Sequence, residues 1–451
     1  MAFSANQRLL LWVLWLTYGS FYFCRNNLGV ALPGLQAELG YTKSQLGTVL
    51  MALKLSYGVG QFINGQLAEH WRPRKLLALG LLASAALNVL FGWATALYFL
   101  TFVWACNGYV QALGWPPTMR VTANWFPALQ RGRAIGIIGT GYQLCGALTF
   151  VVAGWAAENF GWRGALHLPA LLVAASAGHM LLFLKDSPGA LDDPRSRRRE
   201  EADETAAPAT VRLLTSSAAV HGSNVQQKTV DATVAAERMA QPSLAPTHSL
   251  RENLVVTLTN PALWLVAVSL GLLDACRYGF TDWGVTHLKE VQNASVSSAA
   301  FKYAVLPCGG IAGAFLAGWA TDRFFAGRRA PVVCGLLVTL GFLALAYDHA
   351  VHWGLGASVL ILFCIGFCIF GPQVLLVGTL PVDLARRGTA AAAAGFVNFM
   401  GYMGAAAGDK LTGHFAQVYG WQFAVRFWAG CAFAAALVIA CVWNAGKQVR
   451  S

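Results

Sequence analysis

The stretch YGSFYFCRNNLGVALP (18–33) decides the fold assignment, because it places Arg25 inside a long apolar run. A second run, LLDACRYGFTDWGVTHL (272–288), places Arg277 in the same way, 252 positions later. A guanidinium in hydrocarbon costs about 2.5–3.5 kcal/mol on insertion scales, and arginine cannot lose its proton to escape that cost. Each arginine must therefore face a partner or a wet cavity, and their matching placement suggests one shared anionic ligand.

The composition is that of an all-α polytopic membrane protein. Of the 451 residues, 56% are hydrophobic and only 12% are charged, about half the charged share of a soluble protein. Apolar stretches of about 20 residues, each long enough to cross a bilayer as a helix, recur along the chain. The first of them is too long for the apolar part of a cleavable signal. We predict twelve spans: 9–33, 45–67, 76–95, 97–118, 134–157, 164–184, 260–285, 298–321, 331–347, 353–378, 389–416 and 423–444.

The loop charges predict the orientation of these spans. Arginine and lysine concentrate in the short segments on the side of both termini, for example at Arg74, Arg131 and Arg329, and are sparser in the opposite loops. The positive-inside rule then places both termini in the cytoplasm of a multi-pass protein of the cell (inner) membrane. This topology accounts for the net charge of +12 without nucleic acid as a partner. Membrane lipid is the expected surrounding, and a monomer is expected.

A polar segment divides the spans six and six. Residues 186–255 are charged and rich in Ala, Ser and Pro, which predicts a flexible cytoplasmic linker. The linker separates an N-terminal six-helix half, 1–185, from a C-terminal six-helix half, 256–451.

Short motifs repeat between the two halves at a nearly constant spacing, and Arg25 and Arg277 belong to the same register. A parallel repeat of this kind predicts two pseudo-symmetric halves with the substrate site near the midplane between them. The repeated pairs are GQLAEHWRPRK (65–75) with GWATDRFFAGRR (318–329), and RGRAIG (131–136) with RGTAAA (387–392).

With these motifs the chain resembles the major facilitator superfamily and, within it, the organophosphate:phosphate antiporters. The resemblance covers both halves and leaves out only the linker. Besides the two arginine motifs, it is carried by LKLSYGVGQFINGQLAE (53–69), QALGWPPTMR (111–120) and GFVNFMGYMG (395–404). It implies the twelve-helix fold of the superfamily and exchange of inorganic phosphate against an organic phosphate ester by alternating access.

The resemblance also implies the substrate site. In that family the first-span and seventh-span arginines bind the phosphate group, and the matching positions here are Arg25 and Arg277. Cavity-lining positions carried over by the same resemblance are Tyr18, Tyr22, Tyr57, Gln111, Trp115, Tyr142 and Tyr402. The spacing of three of these residues is consistent with such a site, since Tyr18, Tyr22 and Arg25 stand at i, i+4 and i+7 and share one helix face.

Several positions depart from the family pattern. Gln61 and Asn26 stand where lysine is common, Tyr142 stands near a position that is histidine in the glycerol-3-phosphate transporter, and Asp274 stands where an aromatic is usual. These changes keep the phosphate clamp but leave the identity of the ester open. Glycerol 3-phosphate, phosphoglycerate and sugar phosphates all remain candidates.

The other charges within spans have competing interpretations. Lys54 either snorkels outward to the interface, which we favour, or supplies charge in place of Gln61. Asp274 and Arg277, at i and i+3, are expected to pair, and Asp282 is expected to be a structural partner. Asp409 and Lys410 are adjacent, so we expect them to point to different faces.

Acidic and basic residues at the end of the second helix of each half suggest a gate. Such pairs could latch the halves in one state and release them in another, although ordinary loop topology explains them equally well. The gating candidates are Glu69, Arg72, Asp322 and Arg328.

The sequence thus predicts a secondary antiporter for a small organic phosphate and inorganic phosphate. One alternative is a membrane sensor of a sugar phosphate with the same fold. Another is a proton-coupled carrier of a non-phosphorylated solute that uses Asp274, Asp282 or Asp409. No nucleophile–base constellation, metal-ligand cluster or phosphate-cradling glycine loop stands out, so we expect no catalytic residues, no metal and no cofactor.

Overall fold

The chain folds as a helical bundle whose spans match the predicted twelve. A computed structural model describes residues 3–187, 255–325, 327–385 and 389–443, and every regular element within those ranges is a helix. Nine helical runs there are long and apolar enough to cross a membrane. One of them, Leu129–Phe183, holds two spans because its helix is broken at Gly161. The first and fourth spans are each interrupted and complete the twelve.

The N-terminal half holds the first six spans. Spans one and four are each built from two helices, because a 3-10 turn at Phe21–Cys24 joins α1 to α2 and a short turn joins α5 to α6. Spans five and six together form α7. The helices are α1 (Ala5–Ser20), α2 (Asn27–Leu39), α3 (Lys43–His70), α4 (Pro73–Trp93), α5 (Leu97–Gln111), α6 (Trp115–Trp125) and α7 (Ala128–Phe183).

The C-terminal half repeats this plan with different interruptions. Its first helix, the seventh span, is continuous, whereas the eighth and tenth spans are broken, the latter by a π-helix at Leu375–Thr379. The helices are α8 (Pro261–Gln292), α9 (Val296–Tyr303), α10 (Val305–Phe324), α11 (Ala330–Ala350), α12 (Leu355–Val374), α13 (Leu380–Leu384), α14 (Ala390–Val418) and α15 (Trp421–Ala440).

Local sequence signals fix the helix ends. Ser4 and Thr42 each open a helix with a capping box, in which a glutamine three residues later bonds back to the cap. Gly161 turns the chain between spans five and six with φ of 72°, a conformation that favours glycine. The helix of the fourth span continues past the predicted end at about residue 118, because prolines in the first turn of α6 start a helix that runs to Trp125.

The two halves meet from the middle of the bundle to the side opposite the termini, which we term the distal side. There α2 contacts α8, α3 contacts α14, and α7 contacts α9 and α10. Glycines allow this close approach: a Cβ at Gly29 or Gly47 would stand 2.8 or 2.9 Å from the backbone oxygen of Asp282 or Asp409. The distal side is therefore closed in this conformation. Nearly all of the predicted linker, residues 186–255, lies outside the described residues.

Candidate functional site

Arg25 lies at the break in the first span, between the 3-10 turn and α2, and only 4% of it is exposed. Its Nε and Nη2 both donate to Oε1 of Gln111, at 3.2 and 3.1 Å. Its Nη1 has no hydrogen-bond partner among the residues that the structure describes. The protein thus holds one edge of the guanidinium and leaves a buried donor on the other, which is the arrangement needed to bind an anion.

A buried set of polar side chains, which we term the amide network, supports this break. Gln111 donates through Nε2 to the carbonyl of Phe21 at 3.0 Å and to Oγ of Ser84 at 2.8 Å. Asn107 donates to the carbonyl of Cys24 at 2.9 Å and accepts from Ser84 at 2.7 Å. These side chains satisfy carbonyls that a continuous helix would have bonded itself. Sequence reasoning missed Ser84 and Asn107, although polar residues inside apolar spans are a usable signal.

Aromatic rings from five spans form a group around Arg25. Its Cζ lies 4.7 Å from the ring centroid of Tyr22 and 4.3 Å from that of Tyr57, so both rings present their faces to the cation. The remaining predicted cavity residues join this group through ring contacts, with centroid distances of 4.4 Å for Tyr57–Tyr402, 5.1 Å for Tyr22–Tyr142 and 4.8 Å for Tyr18–Trp115.

Arg277 occupies a different setting, in the middle of the continuous helix α8. Its Nη1 lies 3.4 Å from Oδ1 of Asp274, one turn earlier, as the sequence predicted. The rings of Tyr278 and Phe370 flank its Cζ at 4.7 and 4.9 Å. Its Nε is a second buried guanidinium donor that has no partner within the described part of the chain.

The two arginines share neighbours across the boundary between the halves. Tyr22 and Tyr402 each lie within electrostatic range of both guanidinium groups. The structure therefore brings the predicted binding residues of both halves into one cluster of buried and partly buried side chains. Their part in substrate binding remains a prediction.

The structure corrects the interpretation of Lys54. We expected it to snorkel outward, but only 2% of it is exposed, and its Nζ lies 2.6 Å from Asp282 and 3.6 Å from Asp409. Its Nζ also lies 4.0 Å from the ring centroid of Tyr278. The ion pairs with two carboxylates of the other half stabilise the ammonium group, so Lys54 does not extend to the membrane–water interface. We term Lys54, Asp282 and Asp409 the ionic cluster.

The ionic cluster joins the two halves, since Lys54 belongs to α3 and its partners to α8 and α14. It confirms Asp282 as a partner within the structure. Lys410 points to another face, as predicted, and its Nζ bonds to the carbonyl of Ser44 at 2.9 Å and to Oγ1 of Thr48 at 2.7 Å. Because two carboxylates surround Lys54, it adds no uncompensated positive charge to the arginine pair.

The structure describes the gating candidates only in part. Asp322 is exposed, and Nε of Arg328 donates to the carbonyl of Phe325 in its own loop at 3.4 Å. The side chain of Glu69 lies outside the described residues, and Arg72 lies at the start of α4. The latch between these loops remains a prediction.

Comparison with known proteins agrees with this architecture. The family model described as Major Facilitator Superfamily matches residues 14–408. A probable hexose phosphate transport protein of Chlamydia trachomatis is 30% identical over 96% of this chain and 90% of its own length. The membrane sensor protein UhpC of Salmonella typhimurium is 28% identical over 96% of this chain and 89% of its own length.

A solved structure shares the fold. A bacterial homologue of the human lysosomal transporter Spinster, in an inward-facing and occupied conformation, aligns with a TM-score of 0.71 at 14% identity, covering 99% of this chain and 98% of that one. The family match, the similar relatives and the twelve-span architecture lead to one conclusion. The chain belongs to the Major Facilitator Superfamily and, within it, to the organophosphate:phosphate antiporter family.

Proposed function

We propose that the protein is a secondary antiporter that exchanges a small organic phosphate ester for inorganic phosphate by alternating access. The observation that carries this proposal is the arginine pair. Arg25 and Arg277 come from different halves, both are buried, and each keeps a guanidinium nitrogen without a partner among the described residues. The name of the relative from Chlamydia, a hexose phosphate transport protein, supports the same substrate class.

The chemistry of phosphate explains why two arginines suit this role. A guanidinium presents parallel N–H donors that match two phosphate oxygens, whereas a lysine offers only a point charge. A phosphate that contacts one arginine from each half links the halves, so its binding favours closure around it. Opening toward the other side then releases it, without any chemical change in the substrate.

The proposal includes a location and a domain arrangement. The protein is a multi-pass membrane protein, and we place it in the inner membrane as a monomer with both termini in the cytoplasm, as the loop charges predict. The distal side is then the outer face. The functional units are the halves 1–185 and 256–451, joined by the linker 186–255.

Uptake into proteoliposomes tests this function. Purified protein is reconstituted into vesicles loaded with inorganic phosphate, and entry of labelled organic phosphate is measured. Exchange is expected for the wild type and for Arg426→Lys, which makes the same change at an exposed position. It is expected to be lost in Arg25→Lys. Uptake that survives Arg25→Lys and collapses with the proton gradient would contradict the proposal and favour a proton-coupled carrier.

A sensor is the second candidate, because a similar relative carries that name. Binding of a phosphate ester to the purified protein, together with no exchange in the same vesicles, would favour the sensor. Exchange at a rate that exceeds the leak of protein-free vesicles would favour the antiporter.

A further inference from the structure

Among the described residues, Asp274 is the one carboxylate that pairs with an arginine of the candidate site instead of belonging to the ionic cluster. Its Oδ1 lies 3.4 Å from Nη1 of Arg277, which is longer than the usual 2.7–2.9 Å of a strong charge-assisted bond. The two side chains are 6% and 7% exposed. The contact is therefore weak enough for a ligand group to compete with Arg277 for this carboxylate.

The second oxygen of Asp274 packs closely against α14. A Cβ at position 401 would stand 2.8 Å from Oδ2, so only glycine in α14 leaves room for the carboxylate. Oδ2 makes no hydrogen bond with any residue in the described ranges. Lys54, another cation that acts on Asp274, is already held by Asp282 at 2.6 Å. One acceptor oxygen of the carboxylate that contacts Arg277 is thus unpaired among the described residues.

The balance of charges around Asp274 affects which ligands can bind. Arg25 and Arg277 carry two positive charges and Asp274 removes one, while the ionic cluster has one cation and two carboxylates. A ligand with a single phosphate group finds attractive partners in the two guanidiniums. A second acidic group on the same ligand has no further uncompensated cation to bind among the described residues of the site, and the carboxylate of Asp274 repels it.

We propose that Asp274 determines specificity: it accepts a hydrogen bond from a hydroxyl of the ester and rejects esters that carry a carboxylate. This inference rests on the proposed function and narrows its substrates to uncharged polyol or sugar phosphates. A buried acceptor left without its hydroxyl donor, or faced with a like charge, disfavours the wrong ligand. Asp274 contacts the ligand directly in this account, through Oδ2.

Matched competitors test the inference. Glycerol 3-phosphate and 3-phosphoglycerate share a carbon skeleton and differ only in a hydroxymethyl group against a carboxylate. Sorbitol 6-phosphate and 6-phosphogluconate form a second pair with the same difference. Each is used to inhibit phosphate–phosphate exchange in proteoliposomes. In at least one pair, the polyol or sugar phosphate is expected to inhibit at a concentration about tenfold or more below that of its acid, the usual size of one such discrimination.

Asp274→Asn is expected to shrink that ratio about tenfold, mainly because the acid binds better once the like charge is removed. Asp348→Asn, the same change on α11 outside the site, is expected to leave the ratio unchanged. Asp274→Ser serves as a second variant if the asparagine variant does not fold.

Either of two results would overturn the inference: acids that inhibit the wild type as well as their partners do, or a folded Asp274 variant with an unaltered ratio. In both cases the wild type still exchanges phosphate. Failure of the proposed function is a different result, in which the wild type exchanges no phosphate at all.

Discussion

The two halves of the molecule present their arginines in opposite ways. Arg25 lies at a helix break and is held by the neutral oxygen of Gln111, whereas Arg277 lies in an unbroken helix beside the carboxylate of Asp274. The first arginine therefore keeps its full charge and is fixed in direction. The second has part of its charge compensated. Halves related by a repeat in sequence thus hold their arginines in unequal settings. We propose that Arg25 anchors the phosphate and that Arg277, with Asp274, distinguishes the group attached to it.

The largest expected effect is the loss of phosphate exchange in the arginine variants. The two arginines are expected to differ in whether Asp274→Asn restores exchange. Arg25→Ala and Arg277→Ala are both expected to lower phosphate exchange below detection. Arg277→Ala also leaves Asp274 as an uncompensated charge in the site, so adding Asp274→Asn is expected to recover part of the exchange. Adding the same Asp274→Asn to Arg25→Ala is expected to recover none. Equal rescue in both backgrounds, measured in proteoliposomes, would contradict the comparison.

The ionic cluster links the two halves, so changes in it are expected to alter the stability of the protein. Lys54→Met leaves two buried carboxylates without their cation, and loss of one partner of a buried pair destabilises by about 3–5 kcal/mol. We expect a clear drop in the thermal unfolding temperature of the purified protein in detergent. Lys54→Met combined with Asp282→Asn and Asp409→Asn is expected to regain much of it, because no charge is then left unpaired. A single variant as stable as the wild type would show that the cluster does not hold the halves together.

A change at Gln111 can make the first half resemble the second. Gln111→Glu places a carboxylate against Arg25, as Asp274 stands against Arg277, while keeping the size of the side chain. We expect the half-saturating phosphate concentration to rise about tenfold, equivalent to about 1.4 kcal/mol. Gln111→Leu also removes the bonds to Phe21 and Ser84 and is expected to lower thermal stability as well. Phosphate affinity unchanged in Gln111→Glu would argue against an anchoring role for the uncompensated charge of Arg25.

The smallest effect lies far from the site, at the distal end of α2. Hydrogen bonds from Arg163 and Trp162 hold the pKa of Glu38 below its ordinary value. A carboxylate with a lowered pKa stabilises the folded state at neutral pH, and this contribution is lost as the pH falls through that pKa. Glu38→Gln is therefore expected to cost a little stability at pH 7 and none once the wild-type carboxylate is protonated. Thermal unfolding temperatures of the wild type and Glu38→Gln are compared from pH 7 down to about 3. A difference that stays constant over this range would contradict the prediction.

The sequence predicted those features that are local patterns. Apolar runs indicate spans, and a charge inside such a run indicates a cavity. The twelve spans and the central position of Arg25 and Arg277 could therefore be predicted. Lys54 could not, because its partners come from two helices of the other half and nothing in α3 itself indicates them. The break at Phe21–Cys24 was missed for the same reason, since Asn107 and Gln111 of another span satisfy the freed carbonyls.

Binding of inorganic phosphate to the purified protein tests the central claim most directly, if it is measured as a double-mutant cycle. Dissociation constants are compared for the wild type, Arg25→Lys, Arg277→Lys and the double variant, with Arg426→Lys as the control. If one phosphate contacts both arginines, the two effects couple, and the double variant binds little worse than the weaker single variant. If the losses simply add, the arginines act on phosphate independently, and the shared site proposed here is contradicted.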